Sequence, residues 1–388
     1  MNETHSRLGD YMTSRRSKGK EGLPTLSVTL DRGLVRRDSL DRKTDTNLEP
    51  KQHLRVLPGD IAYNMMRMWQ GASGLADIEA LVSPAYVVLA PKPNLDPRYA
   101  AYLFKTARMI HNFWAYSYGL TNDRLRLYPS DALKVPVDIP PLPEQRKIAD
   151  ILSTWDRAIE VSEALLSTAR TQKRALMQSL LTGKRRFPEF EGSEWKEVRL
   201  GDVSRVDQRS LGSKTEDDFE FDYISLSNVE PGRIVGELDR LRYADAPSRA
   251  RRKVSINDLL VSTVRPNLMG FAKVGEKHRN CIASTGFAVV TPGKTANSSY
   301  LFHYLFSHHM KSQFHALVVG SNYPAINSSD VKKLKINLPP LSEQEKIGSV
   351  LDACDLEIDD LNAGIRSLRT EKKALMQQLL TGKRRVMV

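Results

Sequence analysis

The stretch that decides the fold occurs twice. It reads IPPLPEQRKIADILSTWDRAIEVSEALLSTARTQKRALMQSLLTGKRR from Ile139 to Arg186, and NLPPLSEQEKIGSVLDACDLEIDDLNAGIRSLRTEKKALMQQLLTGKRR from Asn337 to Arg385. The two copies align without a gap and share Pro-Pro-Leu, Glu-Gln, Ala-Leu-Met-Gln and Leu-Leu-Thr-Gly-Lys-Arg-Arg. Such similarity at a fixed offset indicates a tandem duplication, so the function must suit two similar halves.

Apolar residues in each copy recur at alternating steps of four and three, the a/d pattern of a coiled coil. The apolar seam comprises Ile148, Leu152, Trp155, Ile159, Leu166, Ala169, Leu176 and Leu180 in the first copy, and Ile347, Leu351, Cys354, Ile358, Leu361, Ile365, Leu368, Leu375 and Leu379 in the second. Each copy therefore predicts a helix of about 40 residues, about 60 Å long.

The ends of each copy carry helix start and stop signals. Ser342 with Glu345 predicts a capping box, and Pro143 suits the first turn of its own helix. Gly183 and Gly382 follow the last leucines, where a helix C-cap favours glycine.

A narrow apolar seam needs a partner in water, and the obvious partner for each helix is the other copy. About a dozen residues separate Gly183 from Trp195, where the next globular segment begins, and that linker spans at most about 40 Å. That distance is shorter than the helix, so the second globular segment should lie at the C-terminal end of the first helix, and the second helix starts from that same segment. The two helices are therefore expected to run antiparallel, with one globular domain at each end. Lys173 and Lys372 fall on seam positions, where a lysine snorkels, sets the register or docks a partner.

The composition fits a two-domain protein with a polyanionic partner. The chain has 388 residues, a net charge of +12 and a pI of about 9.5, which favours nucleic acid over a membrane. No apolar run is long enough for a transmembrane helix, and the N-terminus does not read as a signal peptide. The two cysteines, Cys281 and Cys354, fit a reduced cytoplasmic setting.

A globular segment precedes each long helix, and the two segments keep the same order of parts, beginning with Leu8-Gly9-Asp10 and Leu200-Gly201-Asp202. We expect α/β (α+β) domains over 1–138 and 188–337, followed by the long helices over 139–187 and 338–388. LVSPAYVVLAP, residues 81–91, is a short apolar run bounded by prolines and predicts a buried strand, and RYAAYLFKTARMIHNFWAYSY, residues 98–118, is helix-like.

The sequence shows no recognisable catalytic motif. The sequence contains no GxGxxG, Walker A, CxxC, HExxH or GxSxG pattern, and no Asn-Pro-Pro-aromatic motif of a base methyltransferase. We therefore expect a non-catalytic chain without a cofactor or metal of its own.

Polar, aromatic and basic residues cluster on the expected loops of both domains. Arginine pairs with guanine and Asn or Gln with adenine in the major groove, and basic runs suit phosphate contacts. The predicted DNA-binding residues are Arg15, Arg16, Lys18, Lys20, Tyr63, Asn64, Arg67, Trp69, Gln70, Tyr118, Thr121, Asn122, Arg124, Arg126, Thr263, Arg265, Asn267, Ser321, Asn322 and Tyr323. Any one of them alone reads as a solvated loop residue, so the prediction depends on the groups.

The pattern resembles the specificity (S) subunits of type I restriction-modification systems over essentially the whole chain. The resemblance is carried by PPLPEQRKI and PPLSEQEKI, by ALMQSLLTGKRRF and ALMQQLLTGKRRV, by the openings RLGD and VRLGD, and by GSNYPAINSSDVKKLKINLPPLSEQ. The first half departs from the family at YGLTNDRLRLYPSD, which lacks the GSxxPxI form of the second half.

The resemblance implies two target recognition domains that read the halves of a split site on double-stranded DNA. It also implies an antiparallel helical spacer that docks methyltransferase (M) subunits, two per chain, and restriction (R) subunits. In that case S-adenosylmethionine, ATP and Mg²⁺ belong to those partners, and the chain itself is not an enzyme. Two alternatives stay open: a coiled-coil scaffold that bridges proteins without binding DNA, and the specificity segment of a fused restriction enzyme.

Overall fold

The computed structural model describes residues 6–40, 48–121, 124–318 and 324–387. The chain divides into two compact units, Met1–Ser162 with Gly364–Val388, and Glu163–Ala363. The division crosses both long helices, so each unit holds one globular domain, part of one helix and the complementary part of the other. We call the globular parts domain 1 and domain 2; the bounds of the four predicted segments stay predictions.

Domain 1 contains short strands and helices and leads into the first long helix. Its elements are α1 (Leu8–Tyr11), β1 (Met12–Arg15), β2 (Ser17–Lys18), β3 (Leu26–Val28), β4 (Leu34–Arg36), β5 (Leu54–Val56), β6 (Ile61–Asn64), β7 (Ser73–Leu75), β8 (Ala80–Val82), β9 (Tyr86–Pro91), α2 (Pro97–Leu103), α3 (Ala107–Ala115) and α4 (Pro129–Ala132), followed by α5 (Leu142–Leu180).

Domain 2 repeats this order with a larger insertion and leads into the second long helix. Its elements are β10 (Lys196–Arg199), α6 (Leu200–Val203), β11 (Ser204–Val206), β12 (Glu220–Ile224), β13 (Val229–Glu230), β14 (Arg233–Ile234), β15 (Asp239–Arg242), β16 (Ala250–Lys253), β17 (Leu259–Ser262), β18 (Phe271–Lys273), β19 (Ile282–Ser284), β20 (Phe287–Pro292), α7 (Ser298–Leu305), α8 (His308–Val318), α9 (Ser328–Lys333) and β21 (Lys335–Leu338), followed by α10 (Leu341–Leu379).

The main sheets of the two domains share one topology. Their strand orders are β1-β9-β6-β7 and β11-β20-β17-β18, and every pairing is antiparallel. The second sheets differ: domain 1 has β2-β5-β8, whereas domain 2 has β15-β12-β19-β16. The duplication therefore extends to the framework of the domains, in agreement with the predicted α/β class, while the attached sheets diverge.

Two sequence-based predictions of local structure hold in kind, and the structure divides each segment further. Residues 81–91 contain the end of β8 and all of the buried strand β9, which belong to different sheets, with Pro84 in the turn between them. Residues 98–118 form two helices, α2 and α3, because Thr106 accepts a hydrogen bond from Met109 N (3.3 Å) and caps a new helix. In both cases a single polar turn interrupts an apolar pattern.

The long helices pack along their predicted seams inside each unit. Ile148, Leu152 and Leu379 are buried in the core of unit 1, and Leu180, Ile347 and Leu351 are buried in the core of unit 2. The beginning of one helix thus lies beside the end of the other in each unit, so the two run antiparallel. Both helices are 39 residues long, or about 58 Å.

The helix ends agree with three of the four predicted signals. Gly183 and Gly382 adopt positive φ angles of 68° and 72° at the C-caps, which glycine adopts without strain. Pro143 lies in the first turn of α5. The capping box at Ser342 was wrong, because α10 already begins at Leu341.

Candidate nucleic-acid interface

In domain 1 the loop after strand β6 is closed by its own hydrogen bonds. Asn64 Oδ1 accepts from Met66 N (3.0 Å), and Trp69 Nε1 donates to Met66 O (3.0 Å). These contacts leave the side chains of Arg67 and Gln70 exposed to solvent. The loop therefore presents one cation and one amide from a turn whose shape is fixed, as readout of DNA requires.

A second segment of domain 1 lies beside that loop. Tyr118 and Arg126 exchange two backbone hydrogen bonds, of 3.0 and 2.9 Å, and Leu127 N donates to Met65 O (3.0 Å). The structure thus brings the two predicted groups together. Of the residues predicted here, Tyr118, Thr121, Arg124 and Arg126 have exposed side chains, while Asn122 lies outside the described residues.

Three exposed apolar side chains join this surface and were missed by the sequence analysis. Trp114 lies in the last turn of helix α3 and is 46% exposed, Leu120 is 96% exposed, and Tyr128 is 42% exposed. Aromatic residues with positive neighbours are common where proteins contact nucleic acid. The only signal in the sequence was their position next to the predicted loop.

The prediction for Tyr63 was wrong. Its side chain is fully buried, and its hydroxyl donates to Leu127 O (3.1 Å). Burial also raises the pKa of this phenol well above its usual range. Tyr63 therefore holds the two loop segments together from inside the core.

The four basic residues at the start of domain 1, Arg15, Arg16, Lys18 and Lys20, differ in their surroundings. Arg15 forms an ion pair with the buried Asp60 (2.7 Å), so its predicted phosphate contact is replaced by a structural one. Arg16, Lys18 and Lys20 are exposed, and Lys20 pairs with Glu79 (3.2 Å).

The same ion pair recurs in domain 2 between Arg209 and Asp258 (2.7 Å), which supports a structural role for both pairs. Burial raises the pKa of Asp60, and its hydrogen bonds to Leu57 N and Arg15 oppose that shift. An arginine at this place therefore balances a carboxylate that the sheet encloses.

In domain 2 the loop after strand β17 is tied to the segment that follows helix α8. Arg265 N donates to Pro324 O (2.7 Å), and Ile326 N donates to Thr263 O (2.9 Å). The side chains of Arg265 and Asn267 are exposed. The predicted residues Ser321, Asn322 and Tyr323 lie outside the described residues.

The prediction for Thr263 was wrong, for a reason like that at Tyr63. The side chain is 7% exposed, and its hydroxyl donates to Gly286 O (2.8 Å). Both errors fall on or directly after the last residues of a central strand, where a polar side chain still points into the core.

The backbone of the domain 2 loop is strained. Arg265 and Met269 adopt positive φ angles of 50° and 57°, on either side of the turn Pro266–Leu268. A side chain in this region costs on the order of 1–3 kcal/mol, and such residues persist mainly at functional sites. The strain and the Pro324 contact together hold Arg265 outward.

Two residues missed by the sequence analysis attach each domain to its helix. Gln145 Oε1 accepts from Asp96 N (2.8 Å), and its amide donates to Asn94 O (3.0 Å) and Pro140 O (2.9 Å). Gln344 repeats all three bonds, with Asn297 N (2.8 Å), Thr295 O (3.0 Å) and Pro339 O (2.8 Å). The identical Glu-Gln pairs in the two copies were the available signal.

Arginines at the ends of the long helices bind glutamates at the beginnings. Arg385 donates two hydrogen bonds to Glu144 (2.7 and 2.5 Å), and Arg186 donates two to Glu343 (2.9 and 2.6 Å). The bond from Arg385 holds the pKa of Glu144 below its usual range. The last arginine of each Lys-Arg-Arg run thus binds one specific glutamate.

The seam lysines form ion pairs of the same reciprocal kind. Lys372 pairs with Asp156 in unit 1, and Lys173 pairs with Asp355 in unit 2. Because each lysine meets an aspartate of the facing helix, the pairs fix the helix register, one of the roles expected from the sequence.

Over the described parts of the chain, no group of His, Cys, Asp and Glu has the arrangement of a metal site, and no helix is long and apolar enough to cross a membrane. The interface consists of donors, aromatic rings and cations on fixed turns. Such a surface can bind a polyanion and read base edges.

Comparison with known proteins agrees with this arrangement. The family model described as type I restriction modification DNA specificity domain matches residues 30–169 and 192–368. The chain is 24% identical over 399 aligned residues to the putative type I restriction enzyme MjaX specificity subunit of Methanocaldococcus jannaschii, covering 97% of this chain and 90% of that protein. It is 26% identical over 171 residues to the HindI specificity subunit of Haemophilus influenzae, covering 43% and 36%.

Solved structures show the same fold. The S subunit of a type I restriction-modification system from M. genitalium superimposes with a TM-score of 0.60 at 15% identity, over 98% of this chain and 97% of that one. A chain from a study of complex assembly and conformational transition of the type I R-M system gives a TM-score of 0.53 at 17% identity, over 96% of each chain.

Proposed function

The chain belongs to the family of type I restriction-modification DNA specificity subunits, and from that premise we propose that it binds a split DNA site, with domain 1 reading one half and domain 2 the other. Specificity subunits of this family are non-catalytic, so the chain is not itself an enzyme. The observation that carries the proposal is the repeated exposed loop beside β6 and β17, built from different residues on one framework.

The chemistry of each loop suits base readout. Arg67 and Gln70 in domain 1, like Arg265 and Asn267 in domain 2, offer the donors that pair with guanine or adenine edges in the major groove. Arg16 and Lys18 are exposed cations that suit phosphates. Because the loops differ between the domains, the two half-sites differ in sequence.

The helices act as the spacer in this proposal. Reciprocal ion pairs fix the register of α5 against α10, so the separation of the half-sites is a property of the protein. We expect the half-sites to lie about one turn of DNA apart, as they do for dimeric readers, with base pairs between them that the chain does not contact.

The partners in this proposal are methyltransferase subunits, two per chain, and restriction subunits, assembled in the cytoplasm. S-adenosylmethionine, ATP and Mg²⁺ would be bound by those subunits, and the chain would bring them to DNA. The likeness to a chain from a study of type I complex assembly supports the expectation of partners.

The test is a map of methylated adenines in a host genome. The chain is co-expressed with its cognate methyltransferase subunit, and the methyltransferase subunit alone serves as the control. We expect a split motif that appears only when the chain is present. A complex that forms but produces no new methylation and shows no salt-dependent binding to DNA would favour a scaffold that bridges proteins.

A further inference from the structure

Building on the proposed DNA binding, we propose that the tip of the hairpin formed by β3 and β4, Thr29–Gly33, is a further DNA-contacting element of domain 1. Arg32 is its contacting side chain, and Lys105 is the residue that positions it. None of these residues was among the predicted contacts, and the proposed contacting element belongs to only one of the two domains.

The tip is an ordered turn with exposed side chains. Thr29 N and Thr29 Oγ1 both donate to Gly33 O, at 2.7 and 3.0 Å, and Arg32 N donates to Thr29 Oγ1 (3.1 Å). Leu30 is 50% exposed, and Asp31 and Arg32 are exposed as well. A two-stranded ribbon of this kind is narrow enough to enter the major groove.

One lysine ties this tip to the recognition loop. Lys105 Nζ donates to Gly71 O (2.6 Å) and to Leu30 O (3.3 Å). Gly71 directly follows the turn Met68–Gln70 of that loop. A single ammonium group therefore joins the hairpin tip to the loop that presents Arg67 and Gln70.

The environment of Lys105 fits a positioning role. The side chain is half-buried, and burial lowers the pKa of its ammonium group, while the nearby Asp31 carboxylate opposes that shift. The charges of Lys105 and Asp31 offset each other, so Arg32 supplies the net positive charge of the tip.

Close backbone packing holds the hairpin in place. A Cβ atom at Gly74 on strand β7 would lie 2.2 Å from Leu34 N and 2.7 Å from Gly33 C. Only glycine permits that approach, and Val28 N also donates to Tyr86 Oη (3.4 Å). The tip is thus fixed relative to the loop on two sides.

Domain 2 has a hairpin at the matching place but lacks this device. There Gly232 N donates to Phe271 O (2.9 Å), and Arg233 is already paired with Glu230 (3.1 Å). Phe306 occupies the position that corresponds to Lys105 and packs against Phe271, with ring centroids 5.8 Å apart. Arg233 is therefore a matched control in the other domain.

The experiment measures binding of the full chain, in complex with its methyltransferase subunit, to fluorescent duplexes that carry the mapped site. Arg32→Ala should weaken binding about tenfold, the loss expected for one arginine contact, whereas Arg36→Ala on the same hairpin and Arg233→Ala should change it less than twofold. Lys105→Met should reproduce the loss and Lys105→Arg should restore most of it.

The kind of contact follows from duplexes in which each half-site is replaced in turn. If Arg32 contacts a base, the affinity loss caused by Arg32→Ala disappears only when the half-site of domain 1 is replaced. If it contacts a phosphate, Arg32→Ala weakens binding to all the duplexes alike and reduces the salt dependence of binding by about one ion. Arg32→Ala binding as tightly as Arg36→Ala would overturn the inference. Absence of salt-dependent binding by the unaltered complex would instead refute the proposed function.

Discussion

The two domains attach to their helices through one shared set of contacts and one that differs. Gln145 and Gln344 make the same three hydrogen bonds in the two units. Beyond them, domain 1 uses Tyr102, whose hydroxyl donates to Asp156 (2.6 Å), whereas domain 2 uses His303, whose Nε2 lies 2.8 Å from Asp352.

This contrast separates what the duplicated stretch specifies from what each domain adds. The hydrogen bonds of the glutamine in each Pro-Pro-Leu-x-Glu-Gln start are repeated one for one, because each joins the same amide side chain to backbone atoms. Contacts made by α2 and α7 depend on domain residues and have diverged. A recognition domain can therefore change while its connection to the helix is retained.

The largest effect is expected at the glutamates that the terminal arginines bind. Glu343 is fully buried and also accepts a hydrogen bond from Trp195 Nε1 (3.1 Å), so Glu343→Ala leaves Arg186 without its carboxylate partner. We expect a loss of about 3 kcal/mol in the free energy of unfolding, measured by urea denaturation of the full chain.

Glu144→Ala is the matched variant in unit 1. Its partner Arg385 has a side chain that is 67% exposed, against 17% for Arg186, so water replaces the lost pair more readily. Its loss should be clearly smaller than that of Glu343→Ala. Equal losses would contradict the claim that the two pairs differ through burial.

A pH effect should separate the two attachments. His303 lies beside Asp352 and Asp355 of α10 and near Lys173 of α5, and Lys273 of β18 pairs with the same Asp352. Burial, the dominant cause, lowers the pKa of His303 below 6.5, its value in an unfolded chain. The folded state thus binds this proton less tightly, so the stability contribution is complete above about pH 6.5 and is lost as the pH falls below it.

Hydrogen exchange measured at pH 8 and pH 5.5, after correction for intrinsic rates, checks this prediction. Protection of α7 in domain 2 should fall at the lower pH, while protection of α2 in domain 1 should stay constant. His303→Tyr, which copies the tyrosine of domain 1, should remove the difference. An equal loss in both helices would place the titrating group elsewhere.

A smaller effect tests the corrected role of Tyr63. Tyr63→Phe keeps the buried ring and removes the hydrogen bond to Leu127 O, so it should cost about 1 kcal/mol of stability. Affinity for DNA should change less than twofold, as read by fluorescence anisotropy on the complex. A tenfold loss of affinity with unchanged stability would restore Tyr63 as a direct contact.

The sequence predicted the long helices well because their pattern is local and periodic. Seam residues such as Leu152 and Leu351 are buried as expected, and both helices end just before the predicted glycines. The errors lie where the outcome depends on residues distant in sequence. Whether Arg15 faces DNA or Asp60 depends on sheet pairing, and periodicity carries no information about it.

The candidate site was predicted in part for the same reason. Arg67, Gln70, Tyr118 and Arg126 are exposed on neighbouring segments, as the loop composition indicated. The hairpin tip at Arg32 was missed, because only the fold places it beside Gly71. Polar residues at strand ends, as at Tyr63, were mistaken for loop residues.

The most direct test of the central claim, that each domain reads its own half-site, compares Arg126→Ala and Arg265→Ala on four duplexes. These carry the intact site, either half-site replaced, or both replaced, and affinity is measured on the complex with the methyltransferase subunit. We predict that Arg126→Ala lowers affinity only for duplexes that keep one of the two half-sites. Arg265→Ala should lower affinity only for duplexes that keep the other half-site. Equal losses on all four duplexes would contradict the claim, because both arginines would then act without regard to sequence.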